Sequence, residues 1–465
     1  MAARATISLG RQARAHLAAD RRVMAWIIVA AAAGVAGIGQ AGGSKAVFLA
    51  GALVVGGMVA VLAPQLLLAL YLVAGGLKSA PYLSGIPVDL TLLTAGCVIL
   101  AVLARALKPD GIPPFQPATF LAIGLAALVV LGVLWSPAPD LALDKALRFE
   151  TFTMVAFFAP LVLLRTPAEL KRLAIFVVLF SLLIALTAVP GKAPNQPLTI
   201  AGGESEIELA LYASAGLVAA AGYLALTRGS RWRILWLIPA AVLAKTVLAA
   251  GSRGVLLGVA AALLLIGIQA IARTRAKGAP IVVMVVAIAT VGLFGGQIAG
   301  PAAVQKYQGL LFSSDTSTDL GKRNYLLDEG VALALAHPMG LGTSGYEAKT
   351  HEAYPHNAFA EVAAEQGIIG LGLLAGLIGA SLWATRKARD GPLSPESIFA
   401  GGLLLVVVAD AMVSQTFTQF RELWFAMGLA IAVRGIGWGD KAPGRGRLPL
   451  SRMPRSASPR APAAI

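Results

Sequence analysis

Residues 117–136 read PATFLAIGLAALVVLGVLWS, twenty positions without one charged side chain. A helix of roughly 20 apolar residues spans the hydrocarbon core of a bilayer. This stretch is therefore predicted to be a transmembrane helix, and others resemble it. Fourteen spans are predicted, near 23–40, 45–62, 64–83, 88–107, 117–136, 150–165, 171–190, 206–226, 232–250, 253–273, 280–299, 358–384, 396–414 and 420–436. Of the 465 residues, 57% are apolar and 13% are charged, about half the charged share of a soluble domain. The mean hydropathy is +0.78. A cytoplasmic enzyme of ordinary composition, a disulfide scaffold and a disordered chain are all excluded. The expected fold class is an all-α, polytopic integral membrane protein of about 12–14 transmembrane helices with one large outer loop.

The net charge is +15. In a soluble protein that would raise nucleic acid as a partner. Here it bears on orientation instead, and no nucleic-acid partner is expected. Of the 38 Lys and Arg residues, 26 fall on one side of the predicted spans, 11 fall on the other, and Lys245 lies within a span. Cytoplasmic loops carry the excess of basic residues, so both termini are expected in the cytoplasm. The chain then divides into a basic N-terminus (1–22), eleven spans (23–299), a long outer loop (300–357), the C-terminal spans (358–438) and a disordered basic tail (439–465). Five arginines precede the first span, as in a signal sequence. Its apolar stretch exceeds the usual roughly 7–15 residues of a signal core, so a retained helix is expected. Cys97 is the single cysteine and can form no internal disulfide.

Within the outer loop, 319–336 has helical spacing. Three of the four histidines, His337, His351 and His356, also fall there within 20 residues. The string HEAYPH at 351–356 is close to the HExxH zinc motif. Its histidines are five apart rather than four, and Pro355 would interrupt the helix that such a motif needs. His356 alone offers another reading. It stands at the start of a span, where the helix dipole disfavours imidazolium and keeps the ring ready to accept a proton. A capping or interfacial histidine without chemistry is the alternative. Asn357, Glu361 and Glu365 follow at i, i+4 and i+8 on one face, where they either orient His356 or face water.

Arg253, Arg323 and Arg148 break the positive-inside pattern. Arg253 lies in Gly251-Ser252-Arg253-Gly254, whose glycines permit close approach. Arginines on the outer side suit a phosphate group, or else snorkel to lipid headgroups. Lys245 lies two turns before Arg253 and is expected to face the same cavity. Asp410 is the only carboxylate deep in a span. One deep acid is thin support for the different-class alternative, a transporter of lipid-linked sugars.

Taken together, these residues resemble the bacterial O-antigen ligase and O-antigen polymerase superfamily. His356-Asn357, nine residues, Gly367, two residues and Gly370 resemble the ligase signature. His337-Pro338-Met339-Gly340-Leu341-Gly342 is similar to the superfamily's His-Pro stretch, and Ser252-Arg253-Gly254 to its Ser-Arg-Gly turn. The resemblance covers residues 250–375. It implies a glycosyltransferase of the bacterial inner membrane, working at the periplasmic face with no metal and no cofactor. The implied donor is a glycan on undecaprenyl pyrophosphate, and the implied acceptor is a hydroxyl of lipid A-core or of another glycan. On this resemblance His356 is the base, and Arg253 and Arg323 hold the pyrophosphate. Lys245, His337, Asn357 and Glu365 are expected as supporting positions. The transfer is implied to invert the sugar carbon. A repeat-unit polymerase and a protein O-oligosaccharyltransferase of the same superfamily are the alternatives.

Overall fold

The structure is a computed structural model that describes residues 45–78, 89–108, 111–191, 197–200, 205–227, 231–273, 319–386 and 394–436. The predicted spans at 23–40 and 280–299, the first part of the long loop and the basic tail lie outside these residues. The helices are α1 (Lys45–Leu62), α2 (Pro64–Lys78), α3 (Leu90–Ala106), α4 (Pro117–Leu131), α5 (Pro139–Arg148), α6 (Met154–Leu163), α7 (Pro167–Leu186) and α8 (Glu206–Leu226). They continue as α9 (Leu237–Ala250), α10 (Arg253–Arg273), α11 (Asp319–Ala336), α12 (Gly345–Thr350), α13 (Ala358–Arg386), α14 (Pro395–Ala411) and α15 (Arg421–Gly435). The chain is an all-α polytopic membrane protein. Each predicted span that falls on described residues contains a helix, and 319–336 is the helix α11. Among the described residues, five stretches are long and apolar enough to cross a membrane: Pro117–Trp135, Pro139–Leu163, Glu206–Leu226, Arg253–Ile271 and Ala358–Arg386.

Two elements differ from the sequence reading. The span predicted to begin at 150 begins at Pro139, with α5, a π-helical turn over Phe149–Thr153 and α6 in one run. Charges at Asp140, Asp144, Lys145 and Arg148 disguise it. Ala142, Lys145, Ala146 and Phe149 nonetheless form a buried stripe at helical spacing. Lys145, one of the 11 cations that the predicted spans put on the outer side, is inside the protein. The span predicted to reach 190 stops at Leu186. Ala188–Pro190 then pairs antiparallel with Leu198–Ile200, Ala188 opposite Ile200.

The packing is that of a bundle in lipid. Along α4, Ala118, Ala122, Leu125 and Val129 are buried, while Phe120, Ile123 and Val130 are exposed. The helix is apolar all round, and only one stripe of it touches protein. Close crossings fall at small residues. A Cβ on Gly258 would strike the Val406 backbone, and one on Gly428 the Phe157 backbone. Small residues let helix backbones approach where lipid supplies no hydrophobic drive to associate.

Candidate active site

Four chain segments meet at one end of the bundle. The first is the turn between α9 and α10. Helix α9 ends in a left-handed residue, Gly251 with φ of 69°, which only glycine adopts without strain. Two residues later α10 begins, so Arg253 occupies the N-terminus of α10, where unpaired backbone N–H groups favour an anion. Ser252 is buried, and its hydroxyl has no hydrogen-bond partner among the described residues. Gly254 packs against Asp410, where an added Cβ would lie 3.0 Å from the Asp410 Cα. Asp410 is fully buried at the end of α14 and accepts a hydrogen bond of 2.9 Å from the Gln415 side chain.

The second segment is α11, which turns Arg323, Asn324 and Leu327 toward the same space. Arg323 Nη1 lies 3.4 Å from Ser414 Oγ. On its other side α11 is anchored by Leu326, whose carbonyl accepts from the buried Tyr346 hydroxyl at 3.2 Å.

The third segment is the approach to α13. Pro355 is buried against Gly330 of α11. His356 follows with φ of 55°, a left-handed conformation that costs a non-glycine residue about 1–2 kcal/mol. Strain of this kind persists where the surroundings impose it, and it gathers at functional sites. Asn357 then caps α13. Its side-chain oxygen accepts from the Phe359 and Ala360 N–H groups at 2.9 and 3.0 Å, and its amide donates to the Met412 carbonyl at 2.8 Å. His356 therefore stands just before the cap, with its ring edge-on to Tyr354 at 4.6 Å between centroids. Burial pushes the Tyr354 phenol above its usual pKa, so it stays a neutral hydroxyl.

The fourth segment is the turn after α14, which supplies Met412, Val413 and Ser414. Together with the start of α8, which supplies Glu206, these segments enclose an open cleft of about 610 Å³ lined by Arg253, Arg323, His356, Asn357 and Ser252, among others. Sequence reading missed Ser252, Ser414 and Glu206 as lining residues.

The other expected positions lie elsewhere. Lys245 is exposed on α9, and His337 is exposed at the end of α11. Neither lines the cleft. Lys245 is two turns from Arg253 in sequence, but Gly251 ends its helix, so the spacing does not carry across. Glu365 is buried with Glu361 around Lys145. Lys145 Nζ lies 2.7 Å from Glu361 and 2.8 Å from Glu365. Glu361 also accepts from the Thr416 hydroxyl and the Phe417 N–H, at 2.8 and 3.0 Å. This cluster locks the 412–420 turn and α5 to the start of α13. His351 is exposed and caps α12. Among the described residues there is no group of three metal-ligating side chains.

The motif glycines have a structural purpose. Gly367 breaks α13 with φ of 67° and ψ of −166°. The stretch from Pro338 to Gly342 docks into that break. Leu341 N–H bonds the Ala364 carbonyl, Gly342 N–H the Glu365 carbonyl, and Ile368 N–H the Pro338 carbonyl, each at 2.9 Å. Gly340 and Gly342 both have positive φ, and neither has room for a Cβ.

Residues 238–375 match the O-antigen ligase family. That match, over 138 of the 465 residues, supports membership of the O-antigen ligase/polymerase superfamily. The matched region runs from α9 past the break in α13 to residue 375. It holds Arg253, Arg323, His356 and Asn357, together with both halves of the docked glycine motif. Lys145, Glu206 and Ser414, which complete the cleft or brace it, lie outside the match. No curated protein matches the chain. Members of the O-antigen ligase family are glycosyltransferase-type enzymes, and the match supports an O-antigen ligase/polymerase-family function.

Proposed function

We propose that the protein transfers a glycan from undecaprenyl pyrophosphate to an acceptor hydroxyl, with lipid A-core as the acceptor, at the periplasmic face of a bacterial inner membrane. The observation that carries this reading is the convergence of Arg253, Arg323 and His356 on one cleft from three separate segments. Two guanidinium groups and a helix N-terminus suit a pyrophosphate. A histidine facing the same space suits a base. Both termini would lie in the cytoplasm, as the asymmetry of basic residues requires.

The chemistry follows from those roles. His356 takes the proton of the acceptor hydroxyl as its oxygen attacks the anomeric carbon of the donor. The bond from that carbon to the pyrophosphate oxygen breaks, and undecaprenyl pyrophosphate leaves as an anion. Arg253 and Arg323 stabilise the charge that builds on it. One displacement inverts the sugar carbon, and no step calls for a metal. Ser252, with its buried hydroxyl, is placed to donate to a phosphate oxygen.

The test is transfer by the full chain in proteoliposomes containing lipid-linked glycan and lipid A-core. A general base contributes about 10²–10⁴-fold, so His356→Ala should lose transfer by that factor while inserting normally. Transfer within about threefold of wild type would remove His356 as the base. Elongation of the donor glycan itself, in place of transfer to lipid A-core, would make the protein a repeat-unit polymerase instead.

A further inference from the structure

A second cleft, of about 1560 Å³, adjoins the first. Three segments pass from one to the other within one or two residues. Glu206 and Ile207 line the first, and Glu208 lines the second. Pro355 and His356 line the first, and Tyr354 the second. Val413 and Ser414 line the first, and Gln415 and Thr416 the second. The two clefts thus share a wall, and the Tyr354–His356 ring pair forms part of it. His356 faces the arginine cleft, and the ring that packs on it faces the other.

The two linings differ in chemistry. The first cleft carries Arg253 and Arg323 against a single lining carboxylate, Glu206. In the second, the cations are matched by acids. Lys78 lies 3.5 Å from Asp89, Arg421 lies 3.2 Å from Glu422, and Arg148 pairs at 2.9 Å with Asp144, which stands outside the lining. The remaining polar groups include Glu208, Gln415, Gln419 and the Tyr212 hydroxyl, which donates to Glu422 at 3.1 Å. A polyanion would meet no surplus of positive charge there. Sugar hydroxyls would find carboxylates to accept their protons and amides that both donate and accept. The Tyr354 and Phe152 rings offer faces for the apolar side of a sugar.

We infer that the second cleft is the acceptor subsite and that it binds an uncharged stretch of the acceptor glycan. This rests on the proposed reaction for its place in the sequence of events. In a single displacement the nucleophile approaches the anomeric carbon from the side opposite the leaving group. With the pyrophosphate on the arginines, the acceptor belongs across the shared wall, its hydroxyl reaching His356 past Tyr354.

The test reads binding rather than transfer, so a failure of the proposed chemistry leaves it standing. Saturation-transfer NMR on the purified full chain would use neutral gluco- and galacto-oligosaccharides and phosphorylated forms of the same sugars. The neutral sugars should show saturation, and excess inorganic pyrophosphate should not displace them. Glu208→Gln and Gln419→Ala should each weaken binding by up to about tenfold, the loss of one hydrogen bond to a charged or amide group. Gln419 is exposed, so its variant tests the cleft without disturbing the core. Unchanged binding in both variants, displacement by pyrophosphate, saturation of the phosphorylated sugars alone, or saturation of no sugar would each overturn the inference.

Discussion

Lys145 and Glu361 are 216 positions apart in sequence, yet their side chains meet at 2.7 Å, with exposures of 8% and 0%. Glu365 completes the cluster at 2.8 Å. An ion cluster taken out of water is held by its own partners, and removing one of them leaves the others charged and unpaired. Lys145→Ala should therefore destabilise the protein by about 3–5 kcal/mol, the usual cost of breaking a buried pair. Thermal unfolding in detergent is the measurement. Lys145→Met combined with Glu361→Gln and Glu365→Gln should recover much of the loss, since no buried charge remains. Equal stability of Lys145→Ala and wild type would mean that water reaches the cluster.

Gly367 holds a conformation that a side chain resists, and it faces the Pro338 and Met339 backbone without space for a Cβ. Gly367→Ala should cost upward of about 1–2 kcal/mol from the left-handed backbone alone, with the clash added. Gly372 lies on the same helix with nothing near its missing side chain. Gly372→Ala should be neutral or stabilising by up to about 1 kcal/mol, as alanine favours the helix. Unfolding midpoints of the two variants, measured side by side, check both. Equal midpoints would dismiss the docked break as a stabilising feature.

The contrast between these glycines shows what sequence makes legible. Apolar runs announce their helices because lipid demands length and hydrophobicity together. The boundaries at 45–62, 206–226 and 253–273 were accordingly readable. The segment 139–149 was hidden because its charges mask the apolar pattern, and Lys145 is buried only because two carboxylates from α13 come to meet it. Arg253, Arg323 and His356 could be singled out by residue type and placement. Their meeting in one cleft depends on tertiary packing. Ser252, Glu206 and Ser414 carry no signal by type, since a serine or glutamate at a helix end is commonplace. Lys245 stands away from the cleft because Gly251 ends its helix, so helical spacing does not carry from it to Arg253.

Asn357 both caps α13 and ties it to the Met412 carbonyl. Two substitutions separate these functions. Asn357→Asp keeps the acceptor for the Phe359 and Ala360 N–H groups but loses the donor to Met412. Asn357→Ala loses both, and a lost cap costs about 0.5–2 kcal/mol. Stability should fall in the alanine variant more than in the aspartate variant. Transfer should fall in both, because the tie sets His356 against the turn at 412–414 that lines the cleft. Full transfer by Asn357→Asp would confine Asn357 to capping.

Arg253 and Arg323 are the sharpest test of the phosphate reading. Lysine keeps the charge but loses the planar fork that matches phosphate oxygens. Arg253→Lys should be impaired, and Arg253→Ala more so. The loss should appear in donor KM, in kcat, or in both, since the leaving pyrophosphate gains charge in the transition state. Acceptor KM should change little. Arg323 also reaches Ser414 Oγ at 3.4 Å, so Arg323→Lys should lose that contact as well as the fork. If the arginines only met lipid headgroups, lysine would serve equally well. Rates across donor concentrations for both lysine variants decide the matter, and wild-type behaviour in the two together would leave the pyrophosphate without its grip.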